Sequence, residues 1–153
     1  KSSSKAHESG TNNLLNRFKI QGIDLKNIEI IKKSENYEEH LASYNRIDIA
    51  LDTIPYNGAT TTYESIWMGV PVLTIIGNSF TSRYGYSINK NLNLDNFIAK
   101  DNNDFLDKAL KITSNIEELS RLRSNLRNNA LKSSLFDTGK FNKDFLNLIR
   151  QII

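Results

Sequence analysis

Between residues 52 and 64 the chain gathers two carboxylates, an Asn-Gly pair and three consecutive threonines: Asp52, Asn57-Gly58, Thr60-Thr61-Thr62 and Glu64. The Asn-Gly turn followed by the run of threonines suits the capture of an anion. Gly58 carries no side chain, so a ligand can approach the backbone there. A helix opening at Thr60 aims its unpaired amides and the positive end of its dipole at the same spot. The threonine hydroxyls add donors, and the combination fits a phosphate or diphosphate. Glu64, in the first helical turn, can accept from ribose hydroxyls. The same residues also satisfy a structural pattern, because Thr61-x-x-Glu64 is a capping box. The two readings are compatible, since a capped helix end can still bind a phosphate.

The elements that must position this loop are legible on either side of it. Residues 47–51 (IDIAL) are a short apolar run with a polar break, the pattern of a buried or half-buried strand. Residues 52–58 are loop chemistry, with a Pro and then the Asn57-Gly58 turn pair. Thr60-Thr61-Thr62 open a helix over residues 63–68, which Gly69 stops and Pro71 follows. Residues 72–76 (VLTII) are β-branched and apolar, a second buried strand. A strand–helix–strand unit this compact predicts parallel strands with a right-handed crossover. It sets the loop at the carboxyl end of a strand, where open α/β sheets bind ligands.

Before this unit, residues 1–10 read as a loop, with His7 a solvated surface residue, and residues 11–20 as a helix ended by Gly22. Residues 28–31 read as a short strand and residues 37–44 as a helix with Glu38 and Glu39 in its favourable first turn. After it, residues 77–86 form a loop leading into a helix over 82–92, and residues 97–99 an edge strand. Helices follow over 101–113, with Asp101 or Asn102 as cap, and over 116–132. Residues 133–139 are a loop. The last helix carries Phe141, Phe145, Leu148, Ile149 and Ile152 as an apolar stripe at spacings of three and four.

Composition narrows the classes. The 153 residues are one domain's worth, with 39% hydrophobic and 24% charged residues, ordinary for a globular chain. No stretch approaches the roughly 20 apolar residues of a membrane span. With no cysteine, neither a disulfide framework nor a thiolate metal site is available, and a reducing, cytoplasmic setting is expected. The net charge of +3 (20 Lys+Arg against 17 Asp+Glu) is too small to argue for nucleic acid, and no nucleic-acid-binding motif supports it. The basic residues of the 116–132 helix, offset by Glu117 and Glu118, read as a solvated face.

The block LDTIPYNGATTTYESIWMGVPVLTIIG, followed by Ser82-Arg83, resembles the catalytic domain of the O-GlcNAc transferase family, above all its bacterial, tetratricopeptide-repeat-associated branch. The likeness runs from Lys1 through Glu39-His40 to Ser134-Leu135-Phe136-Asp137-Thr138. It implies an α/β, Rossmann-like parallel sheet with flanking helices: the C-terminal, donor-binding domain of a GT-B glycosyltransferase, in one domain over residues 1–153. It implies a UDP-sugar donor, UDP-GlcNAc first and UDP-glucose as a variant, and a Ser or Thr hydroxyl of a protein as acceptor. No cofactor and no metal are required. The donor-binding positions it implies are His40 against the uridine, Asn57, Gly58, Thr60, Thr61, Thr62 and Glu64 at the diphosphate and ribose, and Arg83 beside the sugar nucleotide.

The opening KSSS matches a family segment just past a strand of the same sheet. The chain is therefore expected to be a fragment, with the amino-terminal half of the catalytic region, the phosphate-binding lysine and the base lying upstream, and no catalytic residue in these 153. Two departures bear on function: Ala59 stands where animal members carry a histidine, and Tyr37 where they carry a lysine. They favour the alternative of a degenerate nucleotide-binding or scaffold module.

Overall fold

The computed structural model describes residues 2–152. It divides into two compact units, Lys1–Glu35 and Asn36–Ile153.

The first unit is dominated by helix α1, Ser2–Ile20. Its end is closed by Gly22 at φ +76°, with Gly22 N–H donating to Lys19 O and Ile23 N–H to Phe18 O. This is the paired closure that a glycine past a helix end makes. The helix begins well before the expected Thr11. The first ten residues lack apolar periodicity and so read as a loop. Once Leu14, Leu15 and Phe18 hold a nucleus, however, each added residue costs little, and Lys5, Ala6 and Glu8 are adequate helix formers. The side chain of His7 lies outside the described residues. Residues 28–31 form no strand: they follow a 3-10 turn at Leu25–Asn27 and pair with no strand among the described residues. Their alternation is right for a strand, but a strand exists only by pairing.

The second unit holds the sheet. Helix α2 (Tyr37–Ser43) starts on Asn36, whose side chain accepts from Glu39 N–H at 2.8 Å. Strand β1 is short, Ala50–Leu51, because residues 47–49 have no ladder partner among the described residues. Helix α3 (Thr60–Trp67) and strand β2 (Val72–Ile75) follow. Then come α4 (Tyr84–Asn91), β3 (Ile98–Ala99), α5 (Asn102–Thr113), α6 (Ile116–Leu131) and α7 (Thr138–Ile152). The sheet order is β1-β2-β3, all parallel, with Ala50 opposite Val72 and Thr74 opposite Ile98. The middle strand is buried along Val72-Leu73-Thr74, as a central parallel strand should be.

The core joins α3, β2, α4, α6 and the 3-10 turn ahead of β3 through Ile66, Leu73, Ile88, Leu119, Leu126 and Phe97. Each such side chain contributes roughly 1.5–3 kcal/mol by leaving water. Two devices fix the site-bearing elements. Gly69, at φ +78°, turns the chain from α3 into β2, and a Cβ there would lie 3.0 Å from the Arg123 carbonyl of α6. Asn89 of α4, fully buried, donates from Nδ2 to Val72 O and Phe97 O, tying the starts of β2 and β3 together. Helix α7 buries none of its residues, and its stripe from Phe141 to Ile152 faces solvent.

Candidate functional site

The site is built by the segments that leave the carboxyl ends of β1 and β2. Asp52, one residue past β1, keeps the ladder going by donating its N–H to Leu73 O at 2.9 Å. Its carboxylate then organises the loop: Oδ1 accepts from Thr53 N–H (2.9 Å) and Gly58 N–H (2.8 Å), and Oδ2 from the Thr74 hydroxyl (2.7 Å). The Ile54–Pro55 peptide inside the loop is cis. Asn57 is buried, donates from Nδ2 to Thr53 O at 3.0 Å, and donates its backbone N–H to Thr81 O at 3.0 Å. That last bond joins the loop after β1 to the 3-10 turn Phe80–Ser82 after β2.

Gly58 is required by its own neighbours. A Cβ there would fall 2.6 Å from Thr61 Oγ1 and 2.8 Å from Thr62 Oγ1. The Thr62 hydroxyl, buried, is spent on Gly58 O at 2.9 Å. The cap of α3 is Ala59, which has no side chain to offer, while its carbonyl accepts from both Thr62 and Tyr63 N–H. The expected Thr61–Glu64 capping box is therefore not formed: the cap lies two residues earlier, at Ala59, and Thr61 lies inside the helix. Thr60 and Thr61 are exposed, and neither hydroxyl has a partner among the described residues. The open helix start thus presents first-turn amides and two hydroxyls to an incoming anion.

Glu64 faces away from the cap. Its Oε2 meets His40 Nε2 at 3.1 Å, with the carboxylate 14% exposed and the imidazole 40% exposed. Tyr44 OH donates to Thr61 O at 3.3 Å, so α2 docks on the first turns of α3. The rings of Tyr37 and Tyr44 flank His40 at centroid distances of 6.2 and 5.6 Å. Both phenols are raised above the ordinary tyrosine value, by desolvation first and the Glu64 charge second. The position where animal members carry a lysine thus holds a phenol that adds no positive charge to the site.

Arg83 stands apart from this cluster. It is exposed, donates to Gly77 O at 3.2 Å and lies 4.8 Å over the Tyr86 ring. The structure so gathers His40 with Glu64, and Asn57 with Gly58, Thr61 and Thr62, and leaves Arg83 on the neighbouring turn. Sequence reasoning gave no structural role to Asp52, Thr74 or Gly85. The signal for Asp52 was its place at a strand end, six residues ahead of the glycine whose amide it takes. A groove of about 600 Å³ between α5 and α6, floored by Leu94, Phe97, Ile112 and Leu119, contains none of the site residues.

Residues 5–145 match the family described as Glycosyl transferase family 41. The chain belongs to glycosyltransferase family 41. The family-41 chain is 33% identical over 131 residues to the tomato (Solanum lycopersicum) probable UDP-N-acetylglucosamine–peptide N-acetylglucosaminyltransferase SPINDLY, covering 86% of this chain and 14% of that protein. The protein of the same name from Eustoma exaltatum subsp. russellianum is 34% identical over 137 residues, covering 90% and 15%. The Caenorhabditis elegans UDP-N-acetylglucosamine–peptide N-acetylglucosaminyltransferase is 28% identical over 115 residues, covering 75% and 10%.

Among solved structures, a mutant O-GlcNAc transferase of Thermobaculum terrenum superposes with a TM-score of 0.83 at 31% identity, over 92% of this chain and 27% of that one. The fold of this family-41 chain is therefore the expected one, the parallel sheet and flanking helices of a GT-B C-terminal domain. The chain spans about a seventh of the length of the curated relatives it matches, 14% for the tomato protein.

Proposed function

We propose that this chain is the donor-binding part of a protein glycosyltransferase that moves GlcNAc from UDP-GlcNAc to Ser or Thr hydroxyls. The observation that carries the reading is the uncapped start of α3, with Thr60 and Thr61 exposed beside the carboxyl ends of two parallel strands. When the glycosidic bond to a nucleoside diphosphate breaks, negative charge grows on the diphosphate. Fixed N–H and O–H donors aimed there stabilise the transition state more than the ground state. The first-turn amides and the two hydroxyls do this without requiring a metal. On this reading His40 and the aromatic side of α2 hold the uridine, Glu64 receives the ribose with its remaining oxygen, and Arg83 lies on the sugar side. No catalytic base is assigned within these residues; base and phosphate-binding lysine belong to the preceding half of the catalytic region. A cytoplasmic parent carrying tetratricopeptide repeats, acting on protein acceptors, completes the proposal.

Titration of the chain with UDP-GlcNAc, followed through the amide resonances of residues 58–64, tests it. Shifts confined to that segment and to α2 at millimolar donor are expected. Their absence favours the scaffold module, for which Ala59 and Tyr37 are the supporting departures.

A further inference from the structure

We propose that Asp52 is a positioning residue of the donor site, acting through Gly58 on the start of α3. The inference rests on the donor-binding reading above and adds a residue that reading does not use. The Asp52 backbone is pinned to β2 by its bond to Leu73 O, so its carboxylate leaves the sheet from a fixed point. Oδ2 takes the hydroxyl of Thr74, a residue with no exposure at the centre of the sheet. Oδ1 takes two amides, Thr53 at the entrance of the loop and Gly58 at its exit. Gly58 O in turn accepts the Thr62 hydroxyl at 2.9 Å. The result is an unbroken run of hydrogen bonds from the middle of β2, through one carboxylate, to the first turn of α3.

Two further features give the carboxylate this role and no other. Three of its roughly four acceptor sites are filled, which leaves little capacity for taking a proton from an acceptor or for ligation. Helix α4 closes over it at Gly85, where a Cβ would lie 2.5 Å from Asp52 Oδ2 and 2.6 Å from Thr74 Oγ1. Bonded to three donors and covered by α4, the carboxylate sets the direction in which the helix start points. The Gly58 amide is committed to it, so the donors left for the diphosphate are those of Thr60 and Thr61.

The test uses the full-length parent enzyme with Asp52→Ala, Asp52→Asn and Thr74→Val. Asn keeps one oxygen for the two amides and can donate to the Thr74 oxygen, so D52N preserves the geometry while removing the charge. D52A is expected to lower kcat/KM for the donor by about 10- to 100-fold, D52N to recover most of that loss, and T74V to fall between them. Without donor, hydrogen exchange in D52A should quicken over residues 53–62 and stay unchanged over 88–99. The D52A loss should also shrink in a Thr60→Ala/Thr61→Ala background, which a general loss of stability would not produce. If D52A does not fold, T74V and D52N carry the same comparison.

Donor kcat/KM within 3-fold of the parent in D52A or, should that variant not fold, in T74V overturns the proposal. So does a D52N loss as deep as that of D52A (in its absence, deeper than that of T74V), because Asp52 would then act by its charge. Faster exchange over 53–62 in an enzyme indifferent to Thr60 and Thr61 would keep Asp52 as the loop's organiser and sink the donor reading instead.

Discussion

Replacing Gly58 with Ala probes the tightest contact of the site. The new methyl would sit 2.6 Å from Thr61 Oγ1 and 2.8 Å from Thr62 Oγ1. Both threonines are stiff at χ1, so neither oxygen withdraws freely. Thr61 is exposed and can turn, at about 0.5–1.5 kcal/mol for leaving its preferred rotamer. Thr62 is 3% exposed and holds Gly58 O at 2.9 Å. Moving it strands a buried hydroxyl, at about 1–3 kcal/mol. Gly58 is not in the left-handed region, so Ala brings no backbone strain. It also recovers about 0.4–1 kcal/mol by restricting the unfolded chain. The balance is a loss of about 2 kcal/mol, or about 4–8 °C in Tm for a chain of this size. Urea unfolding with an unchanged m-value measures it. In a Thr61→Ala/Thr62→Ala background the same substitution should cost less than about 0.5 kcal/mol, since the clashing atoms are gone. G58A melting with the parent, or above it, would refute the close approach and with it the described geometry of the loop.

Three other perturbations follow from the packing around the site. Tyr37 and Tyr44 should ionise above the ordinary tyrosine value in an ultraviolet titration, and Glu64→Gln should lower both by removing the charge component. Because these folded values are raised, the stability they contribute is present below the unfolded value of about 10 and is lost as pH climbs through the folded ones. Gly69→Ala should destabilise by more than about 1 kcal/mol, because φ there is +78° and the methyl would meet Arg123 O at 3.0 Å; a chemical denaturation curve reports it. Arg127→Ala removes a guanidinium 3.9 Å over the ring of Trp67, the only tryptophan. The emission should shift and about 0.5–1 kcal/mol of stability be lost.

Much of this architecture was legible in the residues. VLTII reads as a buried strand because a parallel strand covered on both faces needs a nearly continuous apolar run. Gly69 and Pro71 mark the turn before it, and Asp101 caps α5 by accepting from Asp104 N–H at 2.9 Å. What stayed hidden depends on partners distant in the chain. Glu64 has the spacing of a capping residue, yet its partner is His40, 24 residues away. Asp52 looks like a loop carboxylate until Thr74 of β2 and Gly85 of α4 are seen to enclose it. Residues 28–31 alternate as a strand does, but alternation cannot supply a neighbour. At the start of the chain the error ran the other way, since a polar sequence without periodicity can still extend a helix nucleated further on.

The central claim is that a nucleoside diphosphate rests on the uncapped start of α3. Thr60→Ala/Thr61→Ala in the full-length enzyme tests it most directly, by donor kcat/KM beside a melting curve. Two charge-assisted hydroxyl bonds lost from the transition state, at about 1.5–3 kcal/mol each, predict a fall of at least about 10²-fold. Both residues are exposed and close no cap, so Tm should move by less than about 2 °C. Transfer at the parental rate in a variant that melts normally would contradict the account.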